Sequence, residues 1–82
     1  MRIEFKSVND MFLIEMDGVK NNTIRKVDMK DVRFRKLKSL TSELKDTDTI
    51  RIIHADSPST YFDRQIKNVT FWEKWCIITW RT

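Results

Sequence analysis

Residues Arg2 to Lys6 alternate charged and apolar, the period of a strand with one buried face. Ser7 and Asp10 then form the outline of a capping box and predict a helix start. Val8, Met11, Phe12 and Met16 make an approximate helical stripe, which Leu13 and Ile14 widen. This helix is therefore expected to be buried on more than one side. Asp17-Gly18 closes it, with glycine free to take the left-handed conformation past a helix end. Thr23 to Val27 alternates weakly, with Ile24 and Val27 apolar, and predicts a short strand. Asp31 is placed to cap a second helix, in which Phe34, Leu37, Leu40 and Leu44 share a face.

The rest of the chain reads as β-structure. Thr49 to Ala55 is rich in isoleucine and predicts a strand, followed by a turn at Asp56-Ser57-Pro58-Ser59. Thr60 to Phe71 is a long alternating stretch whose phase changes near Val69, which predicts a bend or bulge. Glu73-Lys74 is a tight reversal, and Trp75 to Trp80 is a last strand of strong β-formers. Strand, helix, strand, helix and a three-strand antiparallel meander make an α+β fold. The expectation is a small mixed sheet, curled toward a barrel, that covers two helices and joins the first strand to the last.

Composition narrows the class. Eighty-two residues, 40% hydrophobic and 34% charged, suit one domain over residues 1–82 with a modest core, and argue against disorder. No apolar run approaches the roughly 20 residues that cross a bilayer, so no membrane partner is expected. The opening residues lack the shape of a signal peptide, and a cytoplasmic location fits best. Cys76 is the only cysteine and lies in an apolar run, as a buried inert thiol would. No Cys/His cluster exists, so neither a metal nor a cofactor is expected. His54 stands alone after two isoleucines and reads as a packed or hydrogen-bonded side chain.

The net charge of +4 is uneven, with seven basic and two acidic residues between Arg25 and Lys38. Arg33, Arg35, Lys36 and Lys38 form either a phosphate-attracting surface or a solvated helix face. Trp72, Trp75 and Trp80 crowd the C-terminal end, where they either stack bases or fill the core.

One octapeptide carries the candidate chemistry: Gly18-Val19-Lys20-Asn21-Asn22-Thr23-Ile24-Arg25. A bend between helix and strand can aim Lys20 and Thr23 into one concavity. Lysine offers a cation with three donors, threonine a hydroxyl that needs a base to become a nucleophile, and arginine a planar fork for carboxylate or phosphate. Asn22 adds an amide able to read a base edge. The plainer alternative is a solvated lysine and a threonine that serves its own backbone.

The spacing Gly18-x-Lys20-x-x-Thr23-x-Arg25 resembles the signature of the ASCH domain family, of PUA-like fold. The form it most resembles is a small phage-type member. The resemblance implies a PUA-like barrel that binds RNA, a nucleotide or a modified nucleoside, with Lys20, Asn22, Thr23 and Arg25 in the pocket. It also implies an alternative, because some small members are amidohydrolases acting on N4-acetylcytidine. These use a lysine, a threonine and a later glutamate, which would make Lys20 and Thr23 catalytic. Asn21-Asn22 is more polar than the family's usual choice. Glu43 and Glu73 are the later glutamates considered for the supporting role, and neither is assigned by the sequence. A third class is a phage-encoded modulator that binds a host protein.

Overall fold

The computed structural model describes residues 1–82. Its elements run β1 (Arg2–Ser7), α1 (Asn9–Met16), β2 (Asn22–Lys26), α2 (Val32–Leu40), β3 (Thr49–His54), β4 (Ser57–Trp72) and β5 (Trp75–Trp80). The fold is α+β, with one mixed five-stranded sheet in the order β1-β3-β4-β5-β2. β1 and β3 are parallel, and every other pair is antiparallel.

β4 is the long member, at 16 residues. Its first half pairs with β3 and its second half with β5, and the register shifts between Ile66 and Asn68. The inward side chains Phe62, Ile66 and Val69 step across that irregularity. A bulge here bends the strand and increases its twist. The expected phase change thus sits slightly earlier than Val69.

β1 and β2 are the two edges of the sheet, so the first strand does not pair with the last. β1 finds β3 instead, and β5 lies between β4 and β2. The backbone ladder stays open, but one side chain crosses the gap. Arg25 of β2 donates from Nη2 to the Lys6 carbonyl of β1 at 3.0 Å and to Ser7 Oγ at 3.3 Å.

α2 follows its pattern closely. Asp31 caps it, accepting from the Arg33 N–H at 3.0 Å, and Phe34, Leu37 and Leu40 are buried. Leu44, beyond the helix, packs at the margin of the core. α1 departs from its pattern. Its N-cap is Val8, without a side-chain cap bond, because Ser7 belongs to β1 and points inward. Only Phe12 and Glu15 of α1 are buried, while Met11, Leu13, Ile14 and Met16 remain exposed. A helix of eight residues laid across a small sheet has room to cover one narrow stripe, and Phe12 and Glu15 are that stripe, three apart.

Three further details differ from expectation or meet it. The β3–β4 reversal is Ala55-Asp56, so Pro58 lies inside β4, where that strand has β3 on one side only. Glu73 takes a left-handed backbone (φ 52°) in the Glu73-Lys74 turn. Gly18 does so at φ 82° after α1, as its position predicted. No helix is long and apolar enough to cross a membrane.

Candidate functional site

β2 has an inverted pattern. Thr23 is buried and Arg25 half-buried, whereas the apolar Ile24 faces outward. A short edge strand that turns hydroxyl and guanidinium inward has something polar to meet, and the structure shows what it is.

Glu15 is 0% exposed. Its Oε1 accepts from Ser7 Oγ at 2.8 Å, and its Oε2 accepts from Lys20 Nζ at 3.4 Å. A buried carboxylate is unfavourable by several kcal/mol unless charge and hydrogen bonds compensate it. Ser7 and Lys20 supply that compensation, and the charge of Glu15 also acts on Arg25.

The route of the chain explains the meeting. After the left-handed Gly18, the Lys20 N–H donates back to the Ile14 carbonyl at 3.0 Å. This folds Lys20 over the end of α1, where Nζ reaches Glu15 and the Met11 sulfur at 3.3 Å. The Asn21 carbonyl accepts from the Trp80 N–H at 2.9 Å, which fixes the entry to β2 against β5.

Thr23, 3% exposed, accepts from Arg25 Nε at 2.9 Å. Arg25 therefore holds the threonine hydroxyl with one edge of its fork and β1 with the other. Burial pulls the Arg25 guanidinium below its ordinary pKa, Glu15 pulls it up, and Arg33 pulls it down. Lys20, Thr23 and Arg25 share the lining of a hollow of about 260 Å³ with Lys6, Ser7 and Met11. The octapeptide thus turns an ammonium, a hydroxyl and a guanidinium toward one concavity.

The remaining candidates separate from this hollow. Asn22 is half-buried at the start of β2 and does not line it. Arg33 is tied to Asp31 and to the Glu4 carbonyl, and it lies 4.3 Å from the Phe5 ring centre. Arg35 donates to the Met29 carbonyl, Lys38 lies over Phe71, and neither they nor Lys36 line any hollow. Glu43 is exposed beside Lys45, and Glu73 is exposed in its turn. Neither meets Lys20; the glutamate that does is Glu15, which is not bonded to Thr23.

Sequence reasoning passed over Glu15 because it sought an apolar stripe. The available signal was a lone acid inside Met11-Phe12-Leu13-Ile14-Glu15-Met16, three residues from the one aromatic of that run. Ser7 was read as a helix cap, whereas it ends β1 with its side chain inward.

His54 is held at both ring nitrogens. The Asp56 N–H donates to Nδ1 at 3.1 Å, so Nε2 carries the proton and donates to Asn9 Oδ1 at 2.9 Å. Its ring packs 5.2 Å from Phe12. Cys76 is fully buried, and desolvation pushes its thiol up to about 11. Trp80 is a core residue, Trp75 is half-buried and Trp72 is exposed. No group of three or more His, Cys, Asp or Glu side chains is placed to hold a metal ion. No protein-family model matches the chain, and no curated protein matches it.

Proposed function

We propose that the chain binds a nucleotide, a nucleoside or a segment of RNA in the hollow of Lys20, Thr23 and Arg25. In this reading the curled sheet is a small PUA-like barrel of ASCH type, with the Arg25 side chain bridging the edges that backbone bonds leave open. The observation that carries the reading is Glu15. A domain this small gains nothing in stability from burying a carboxylate that an apolar residue could replace. Its burial makes sense where an ammonium must be held at a fixed place beside a hydroxyl and a guanidinium. Lys20 and Arg25 then offer donors to carbonyl or phosphate oxygens, and Thr23 offers a hydroxyl to a sugar or base edge.

The test uses the double variant Lys20→Met/Glu15→Gln, which removes the cation and the buried anion together. Titration calorimetry against a panel of ribonucleosides and 5′-mononucleotides should give binding to the wild type and none to the folded double variant. Equal binding by both would dismiss this hollow as the site.

The same glutamate favours a second reading, an amidohydrolase of N4-acylated cytidine. Thr23 Oγ would add to the acyl carbon, and the Lys20 ammonium would give one proton to the departing amine and regain one from the Thr23 hydroxyl. Water would then release the acyl group. Glu15 would hold Lys20 in place for this, although it precedes the motif in the chain instead of following it. Incubation with N4-acetylcytidine decides the matter: wild type should release cytidine and acetate, and Thr23→Val should not. A wild type without turnover leaves the binding role alone.

A further inference from the structure

We infer that the ligand is a single-stranded run of nucleic acid, lying across three adjoining hollows, and not a lone nucleoside. This rests on the ligand class proposed above and extends it along the surface. The central hollow shares Lys6 and Arg25 with a larger one of about 480 Å³, which Phe5 and Arg33 also line. On its other side it shares Ile24 with an apolar hollow of about 300 Å³, completed by Trp72, Trp75 and Ile77. The three therefore form one track across the open edge of the sheet.

The chemistry changes along this track in the order a strand of nucleic acid presents it. At the first end, Arg25 commits Nε and Nη2 within the protein and leaves Nη1 without a hydrogen bond. Lys6 is exposed and forms no ion pair. Arg33 is already neutralised by Asp31, and Glu4 is occupied by Arg2 at 3.0 Å. Two cations thus remain for a phosphate, the Lys6 ammonium and the free Nη1 of the Arg25 guanidinium. In the middle stand the lysine, hydroxyl and guanidinium of the candidate pocket.

At the far end, Trp72 pairs across the strands with Trp75, and Ile24 pairs with Ile77. Trp72 is 62% exposed, so packing does not explain an indole there. Lys26 is the cross-strand partner of Trp75, and Lys74 Nζ lies 5.5 Å from the Trp75 ring centre, against one carboxylate, Glu73, in the turn. An exposed aromatic with flanking lysines stacks any base and draws its phosphate, without demanding a sequence.

The experiment compares a fluorescein-labelled RNA decamer of mixed sequence, the same sequence as DNA, its duplex, and a 5′-mononucleotide. The single strands should bind at least about tenfold more tightly than the mononucleotide and the duplex, with a steeper salt dependence. RNA and DNA arms that differ report whether the 2′-hydroxyl is read, and either preference agrees with the track. Trp72→Ala should weaken the single strands about tenfold and leave mononucleotide affinity and circular dichroism unchanged. If decamer and mononucleotide bind alike, or Trp72→Ala changes neither, the track is wrong while a Lys20-dependent pocket survives. If the wild type binds none of the probes, both readings fall.

Discussion

The two helices are of nearly equal length, eight residues in α1 and nine in α2, yet they are used differently. α2 buries Phe34, Leu37 and Leu40, exposes its charges and begins at a capping aspartate. α1 is the more hydrophobic in sequence, but it exposes most of its apolar side chains, lacks a side-chain cap and buries an acid. The comparison separates a helix that buries a full apolar stripe from one that buries a single aromatic, Phe12, together with a carboxylate. Stability alone would put Leu13 or Ile14 where Glu15 is.

That contrast can be broken or sharpened by substitution, beginning with the largest effect. Leu37→Ala should destabilise the fold by about 2–5 kcal/mol in denaturant melts, while the protein that remains folded binds nucleotide as wild type does. Lys20→Met should cost about 2–3 kcal/mol at neutral pH, under the ~3–5 of a fully buried pair, because Arg25 still faces Glu15. Adding Glu15→Gln should recover part of this loss, because no unpaired carboxylate is then left buried, and denaturant melts of the single and double variants read both effects.

Ser7→Ala comes next, at about 1–2 kcal/mol, since it leaves Glu15 Oε1 and Arg25 Nη2 each short of a partner. Acid should act on α2 before α1. Hydrogen bonds from the Arg33 side chain and backbone hold the Asp31 carboxyl below its ordinary pKa. A depressed carboxyl contributes stability above its unfolded pKa and loses it as pH falls through the folded value. Below the ordinary aspartate range, amide exchange should therefore quicken in the first turn of α2, with no matching change at the uncapped start of α1. Leu13→Ala should be the smallest change, within about 0.5 kcal/mol, because its side chain is exposed.

α2 was legible because burial, capping and charge agree there, and each leaves its own mark on the sequence. The same agreement made β1, β5 and the Glu73-Lys74 turn readable from alternation and length. β2 was legible as a strand, but its apolar residue points out and its polar residues point in. α1 was legible as a helix, with Gly18 at its end, but its buried face was assigned by hydropathy. Lys20, Thr23 and Arg25, which line one hollow, were singled out through spacing. Their partners Ser7 and Glu15 were not, because a carboxylate chosen to hold an ammonium looks like an error when the criterion is oil-like character. Edge order was likewise hidden, since pairing β1 with β3 instead of β5 depends on how far α1 and α2 carry the chain.

β4 serves two neighbours along its length, and neither half of the sheet owns a complete set of strands without it. Loss of its middle would strand β3 with β1 on one side and β5 with β2 on the other, each a mere ribbon. Thermal melting followed at Trp80 and at the amides of β1 should consequently trace a single sigmoid, with no half-molten species.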